Sequence, residues 1–541
     1  MQIEPFQGEP QLLDAKLKIL LPPVVDAYLS FLTLSTRQSS KHLDTETGVC
    51  SILYTLCKVR GAKVVVGFFN NEPRYLEPIL EALERVVSAS DGGTEWQVPY
   101  VLLLWLSHLL LTPFDLTSIS NKAGPIKLED QRPSAPKDLP SLTARVLTVG
   151  LAFLHSPTKA QDAAAAMLVR LTIRPDVQRF RLADALAKER LPTLQSCEGS
   201  QNMYSILGSL RFVAGVASSA ELNHLVPDIY RACQKAFDED DDSSLSANAV
   251  TKKIMIKIFR NIAILSLRSA AADGPLLPFL QTSDVLESVI DYLLRSLADK
   301  DTPVRYAAAK AISLIILELE PAMGHEVIQA ILDTFKEDIP RHATTVDLAA
   351  ANPLKWHGLT LALSHCLFKR SASTEQLPDI LDALITALQF QQRTATGSAL
   401  GTNVRDAANF GIWSLARRYT TTELLPVQIH SLHMSVRTTQ DVSIIQHLAT
   451  QLILTACLDP AGNIRRGASA ALQELVGRHP DQVHAGIALV QIVDYLAVSL
   501  RGRAMIQVAN GAASLHQMYL EAILDGLFGW RGLGSADVSS R

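Results

Sequence analysis

Residues 284–316 read DVLESVIDYLLRSLADKDTPVRYAAAKAISLII, and their pattern decides the fold. Leu286, Ile290, Leu293, Leu294 and Leu297 recur at helical spacing, which predicts one apolar stripe facing a partner. A turn is expected over Asp299 to Pro303, because a proline in the first turn of a helix gives up an N–H that has no intrahelical acceptor anyway. The helix that follows carries Val304, then Ala307, Ala308 and Ala309, then Ile312 and Ile315. Its small residues permit close approach of a neighbour, so the stretch predicts a helical hairpin.

The pattern returns at 452–476, LILTACLDPAGNIRRGASAALQELV. Placing Val304 on Ile464 sets Asp299 on Asp459, Arg305 on Arg465, Ala308 on Ala468 and Ile315 on Leu475. The offset is 160 residues, which reads as four units of about 40, the period of HEAT-type repeats. A third copy at 403–415, NVRDAANFGIWSL, carries Val404, Arg405 and Ala407 and is displaced by a polar loop over 391–402. Weaker helical pairs stand at 151–170 and 356–367. Asp299, Arg305, Arg405, Asp459 and Arg465 are expected to form a ladder that fixes the stacking of one repeat on the next.

Such units bury their apolar faces only against neighbours. The expected fold is all-α, an α-solenoid of HEAT/armadillo-like helical hairpins. Roughly a dozen units at helix-packing distance would form a curved rod about 100 Å long with a large concave surface. The predicted organisation is helical repeats over 1–116, a flexible loop with four prolines over 117–141, and further repeats over 142–237. An acidic linker over 238–248, HEAT repeats over 249–528 and a disordered, divergent tail over 529–541 complete it.

Composition supports a core-rich protein: 48% of the 541 residues are hydrophobic and 19% charged, which excludes a largely disordered chain. Lys and Arg number 50 against 54 Asp and Glu, a net charge of −4. That balance lacks the broad positive field of a nucleic-acid binder, so none is expected as partner. The six cysteines show no CxxC pair, the pattern of buried, reduced thiols in the cytosol. The opening MQIEPFQGEPQLLDAK has no apolar core, so no signal peptide is expected. The most apolar run, 101–111, is 11 residues long, against about 20 for a membrane span. A fully buried helix is expected there, and no span anywhere.

Catalytic motifs are absent from the sequence. There is no GxxxxGK[ST] or GxGxxG phosphate loop. His325-Glu326 has no second histidine at helical spacing, Ser469 lies in GASAA, and Asp299 with Asp301 reads as helix capping. No active site, cofactor or metal centre is expected. For partner contact the candidates are Lys58, Arg60 and Lys63 around Gly61, and Trp356 with His357 at the start of a predicted helix. The first group also fits a helix C-terminus whose cations oppose the dipole, with glycine as the C′ residue. Trp356 equally fits a core position.

Several blocks together resemble a known family. LYTLCKVRGAKVVVGFF at 53–69 is the densest, preceded by QGEPQLLDAKLKILLPPVVD at 7–26 and followed by WQVPYVLLLWLSHLLLTPFDL at 96–116. DKDTPVRYAAAKAI at 299–312, WHGLTLAL at 356–363, TNVRDAANFGIWSLAR at 402–417 and NIRRGASAALQELVGR at 463–478 continue the series. In this order and spacing they resemble the N-terminal half of the tubulin-folding cofactor D (tubulin-specific chaperone D) family. Gly67, Asn70 and Asn71 depart from its usual residues, and the likeness ends near Phe528, without the second half of the family.

The resemblance implies a non-enzymatic cradle for β-tubulin after chaperonin release. Cofactor E carrying α-tubulin and then cofactor C would join it, and the assembled complex would stimulate GTP hydrolysis by tubulin before the heterodimer leaves. An Arf-like small GTPase is a further implied partner, and the implied location is the cytoplasm, with microtubule association. Two other readings remain open from the residues: a generic HEAT scaffold or transport adaptor, and a truncated, inactive fragment of the cofactor.

Overall fold

The computed structural model describes residues 3–8, 10–34, 40–89, 95–120, 122, 136, 138–194, 203–219, 224–236, 247–271, 283–337, 351–393, 399–429 and 442–528. Most of the expected loop over 117–141, the acidic run 238–246, Cys197 and the tail 529–541 lie outside the described residues. The chain divides into two compact units, Met1–Leu265 and Ser266–Arg541.

The first unit contains α1 (Asp14–Leu34), α2 (Ser40–Arg60), α3 (Ala62–Val66), α4 (Leu76–Ser88), α5 (Gln97–Leu109), α6 (Leu116–Ile119) and α7 (Ser141–Phe153). It continues with α8 (Ala160–Thr172), α9 (Pro175–Gln178), α10 (Leu182–Arg190), α11 (Met203–Val216), α12 (Val226–Ala236) and α13 (Ala249–Ala271), within which the division falls. The second unit contains α14 (Ser283–Ser296), α15 (Thr302–Glu318), α16 (Pro321–Glu337), α17 (Pro353–Lys369), α18 (Leu377–Leu388), α19 (Thr402–Arg418) and α20 (Thr421–Leu424). After it come α21 (Ile444–Leu458), α22 (Gly462–Arg478), α23 (Gly486–Ile492), α24 (Arg501–Arg503), α25 (Ala509–Leu515) and α26 (Gln517–Phe528).

Both units are two-layered stacks, the all-α solenoid of HEAT/armadillo-like hairpins that the sequence predicts. In the first, α2, α5, α8 and α11 pack in series, backed by α1, α4 and α7. In the second, α15, α17, α19 and α22 form the series, and α14, α16, α18 and α21 pack behind them. The apolar run at 101–111 lies in and just beyond α5. Val101, Leu102, Leu103, Trp105 and Leu106 are all 0% exposed, as a helix apolar on every side requires. Among the described residues the one β element is a two-residue antiparallel ribbon, β1 (Gln392–Arg393) with β2 (Ala399–Leu400), inside the expected polar loop.

Two expectations need correction. The helices α15, α17, α19 and α22 are each 17 residues long and start at 302, 353, 402 and 462, so successive units are 51, 49 and 60 residues long. The 160-residue offset thus spans three units and not four, because each unit carries connecting chain beyond its hairpin. The alignment of Val304 with Ile464 stands, since both are the third residue of their helices. Along α14 and its C-terminal turn the buried stripe runs through Val289, Leu293 and Leu297, with Leu286, Ile290 and Leu294 half-buried at its edge.

The repeated arginine ties each unit to the next. Arg305, Arg405 and Arg465 are 1%, 1% and 2% exposed. The Nη1 of Arg305 donates to the carbonyls of Asp299 (2.6 Å) and Lys300 (3.0 Å), while its Nε donates to His357 Nδ1 on α17 at 2.9 Å. The Nη1 of Arg405 donates to the Phe390 carbonyl (2.7 Å), and its Nε reaches forward to Asp459 Oδ2 at 2.7 Å. The Nη1 of Arg465 donates to the Asp459 and Pro460 carbonyls, and its Nε and Nη2 donate to those of Val498 and Ser499, both at 2.7 Å. A planar fork with five donors can satisfy its own turn and grip the following one at once.

The turn aspartates act differently from the expected cap. Asp299 Oδ1 accepts from the Asp301 N–H (2.8 Å) and Asp459 Oδ1 from the Ala461 N–H (2.9 Å). These are Asx turns that precede their helices. In α17, His357 stands one position later than the arginines do in their helices and receives the bond from Arg305.

This rung is pH-sensitive. Burial first, and the Arg305 charge second, push His357 down to about 4. A histidine depressed in the folded state leaves the unfolded chain holding the extra proton between pH 6.5 and 4. Stability from this group is therefore complete above pH 6.5 and declines as pH falls through that window. Each pKa unit converts to about 1.4 kcal/mol, so the contribution is at most roughly 3–4 kcal/mol. His357→Gln, whose amide oxygen still accepts from Arg305, is expected to flatten the loss of thermal stability between pH 6.5 and 4.5. Equal slopes for parent and variant would contradict this.

Candidate functional site

The block at 53–69 builds a corner. Gly61, at φ +98°, donates its N–H to the Cys57 carbonyl (3.0 Å) and ends α2 in a conformation that favours glycine. Val65 and Phe69 are buried; Phe69 stacks on Trp105 at 4.7 Å, and Trp105 Nε1 donates to the Asn70 carbonyl at 2.9 Å. Two of the three candidate cations serve this corner. Lys58 Nζ lies 3.1 Å from Glu4 Oε1, and Arg60 makes a two-pronged bond to Asp14, with Nη2 to Oδ2 at 2.8 Å. The Arg60 bond, first of its causes, holds the Asp14 carboxyl below its usual range. Only Lys63 of the three is exposed without an ion-pair partner among the described residues. Lys58→Glu with Arg60→Glu is expected to lower the unfolding midpoint of the first unit. Lys63→Glu should leave it unchanged; equal losses would refute this division of roles.

Trp356 and His357 do not reach a partner either. They are 1% and 2% exposed, and the Trp356 ring packs against Phe335 (4.8 Å) and Phe390 (5.1 Å). The accessible aromatics of α17 lie on the other side of the helix. At about 100° per residue, His365 and Phe368 sit roughly 180° and 120° from Trp356. Both are half-buried and meet α19: His365 lies 5.3 Å from Phe410, and Phe368 lies 6.0 Å from Phe410 and 6.3 Å from Trp413. Phe410 and Trp413, also half-buried, stack at 6.2 Å.

Cations cover this aromatic row. The Arg417 guanidinium lies 5.1 Å from the Trp413 ring, Arg418 4.9 Å from Phe368, and Lys369 5.7 Å from Phe368. Half-exposed aromatic rings under arginines have the composition of interface hot spots. The row is the strongest candidate for macromolecular contact in the second unit. Its signal in the sequence is FGIWSLARR at 410–418, where Phe410, Trp413 and Arg417 share a helical stripe.

Sequence reading also missed two structural arginines of the first unit. Arg145 pairs with Glu84 through Nε (2.8 Å) and Nη2 (2.7 Å) and also bonds Glu77. Arg174 donates to the carbonyls of Leu110, Thr112 and Phe114 and pairs with Asp176. The partners of both arginines lie 60 or more residues away in sequence apart from Asp176, so no local pattern marked them.

Nucleophile chemistry is suppressed at the described thiols. Cys50, Cys57, Cys233, Cys366 and Cys457 are buried and unbridged, and burial raises all five, the last four to about 12. They are therefore protonated at neutral pH. A cleft of about 280 Å³ lined by Gln178, Arg181, Asp184 and His224 holds a carboxylate already engaged by Arg181 (2.9 Å) and His224 (3.0 Å). Among the described residues no group of three or more His, Cys, Asp or Glu stands in metal-binding arrangement, and no helix is long and apolar enough to cross a membrane.

Comparison with known proteins matches two family models. One, described as tubulin-specific chaperone D-like, ARM repeat, covers residues 3–190; the other, tubulin-specific chaperone D-like, ARM repeats, covers 278–487. Tubulin-folding cofactor D of Schizosaccharomyces pombe is 25% identical over 516 residues, covering 91% of this chain and 41% of the relative. Tubulin-specific chaperone D of Dictyostelium discoideum is 24% identical over 559 residues, covering 83% and 36%. The chain thus spans about two fifths of the length of these curated relatives. Among solved structures, Kap121p bound to Nup53p is similar at a TM-score of 0.40 and 11% identity, covering 95% of this chain and 44% of that one. Yeast importin-beta (Kap95p) is similar at 0.36 and 12%, covering 96% and 66%.

Proposed function

The chain belongs to the tubulin-specific chaperone D-like family, and from that membership we propose that it binds β-tubulin after chaperonin release and supports assembly of the αβ heterodimer. The observation that carries this reading is the pair of family matches, one in each unit, joined by two relatives named for tubulin folding. The aromatic row of α17 and α19 supports it with a surface suited to a folded client. On this reading cofactors C and E join the complex, an Arf-like small GTPase associates with it, and the setting is the cytoplasm and its microtubules. The chain itself is a non-enzymatic binder, and GTP hydrolysis takes place on tubulin.

A narrower reading stands beside it: a chain that binds its client and does not support the rest of the cycle. GTP hydrolysis by tubulin, measured with cofactors C and E in the presence and absence of this chain, separates the two. Faster hydrolysis on adding the chain is the result expected of the first reading. Unchanged hydrolysis despite client binding would select the second.

A further inference from the structure

The C-terminal ends of α17 and α19 carry more positive charge than their own carboxylates neutralise. Phe368, Phe410 and Trp413 form a triangle with ring centres 6.0, 6.2 and 6.3 Å apart, and Trp413 lies within 18° and 22° of parallel to the other two. Cations close over two of these half-buried rings: Arg417 stands 5.1 Å from Trp413, and Arg418 and Lys369 stand 4.9 and 5.7 Å from Phe368. A fourth cation joins the same edge, where Arg370 donates to the Arg418 carbonyl at 3.0 Å.

Two carboxylates answer them. Glu423 pairs with Arg370, and Glu474 is shared by Arg417 at 3.6 Å and Arg478 at 2.9 Å. Among the described residues, Arg418 and Lys369 have no carboxylate partner. Asp406, the other acid of α19, stands 12 residues before Arg418, about 18 Å along the helix. A guanidinium stacked on a ring keeps its N–H groups, which lie in its own plane, open to a carboxylate. Phe410, which no cation covers among the described residues, offers apolar contact beside that charge.

We propose that this end of the row grips a short acidic and apolar segment of the client, with a carboxylate on Arg418 and Lys369 and an aliphatic side chain against Phe410 and the edges of Phe368 and Trp413. A nucleic acid suits the site less well, because base stacking needs open ring faces and the cations already stand over Phe368 and Trp413. The inference deepens the client-binding reading and rests on it, adding the chemistry of the contact.

The test is fluorescence anisotropy of a labelled peptide, Gly-Asp-Leu-Asp-Asp-Leu-Asp-Gly, with the full chain at low salt. Saturable binding is expected, weakening as salt rises because screening shortens the reach of the charges. Counterparts with asparagine for aspartate, or serine for leucine, should bind at least about tenfold more weakly. Lys369→Glu with Arg418→Glu should weaken the acidic peptide by about tenfold or more in a folded protein, since like charges then face it. Lys369→Ala with Arg418→Ala should act in the same direction. No binding by the acidic peptide, equal binding by its counterparts, or binding indifferent to both double variants overturns the proposal, as does tighter binding of a single-stranded oligonucleotide with the same dependence. β-Tubulin is measured beside the peptide. If the glutamate variant holds β-tubulin undiminished, the acidic contact fails and the tubulin reading stands. If the peptide binds as expected and β-tubulin is not held, the tubulin reading fails alone.

Discussion

Asp459→Ala is expected to destabilise the second unit by about 3–5 kcal/mol, the cost of leaving one partner of a buried ion pair alone. The side chains of Arg405 and Asp459 are 1% and 0% exposed, and Nε and Nη2 of the guanidinium meet the two carboxylate oxygens at 2.7 and 3.3 Å. The same carboxylate also closes the turn before α22 by accepting from the Ala461 N–H. Its removal thus strands a buried cation between α19 and α22 and loosens the turn that starts the next unit. Arg405→Leu combined with Asp459→Ala should recover a large part of the loss, because no unpaired charge remains. Urea unfolding followed by circular dichroism, together with hydrogen exchange in α19 and α22, reads the effect. A single-variant loss below about 1 kcal/mol would show that the pair does not hold the units together.

Gly358→Ala is expected to be comparably damaging for a steric reason. A Cβ on Gly358 would stand 2.6 Å from the carbonyl carbon of Leu297 and 2.8 Å from its Cα, and closer still to the oxygen. These are backbone atoms at the end of α14, so no rotamer change relieves the clash and α17 must move. Overpacking against side chains typically costs about 1–3 kcal/mol, and rigid backbone puts this site at or above the upper end. Gly208 repeats the arrangement in the first unit, where the added carbon would meet the Leu154 carbonyl. The same substitution at Gly48, inside α2 with nothing within 4 Å, should instead stabilise by about 0.5–1 kcal/mol. Similar effects at Gly358 and Gly48 would refute close helix contact as the cause.

These sites show what was legible in the sequence. Asp459 and Arg405 were found because their pattern recurs, and the turn chemistry of an Asp or Asn before Val/Ile-Arg survives the varying length of the connections. That same variation misled the unit count, since a recurrence at 160 residues does not show how many copies lie between. Trp356 was recognised as a notable aromatic, but α17, PLKWHGLTLALSHCLFK, is apolar around most of its circumference. Periodicity therefore could not tell the core side from the side that carries His365 and Phe368. Lys58 and Arg60 stood out as cations, while their partners Glu4 and Asp14 lie 54 and 46 residues away in sequence. Contacts at such range follow from stacking.

The central claim is that this chain grips tubulin. Size-exclusion chromatography with light scattering of the purified chain, mixed with β-tubulin, measures that directly. A complex at the summed mass is predicted, weakened by Arg417→Glu with Arg418→Glu while α-helical content and melting temperature persist. β-Tubulin eluting alone beside a folded chain, or the chain retaining a Ran-type GTPase and no tubulin, would contradict it.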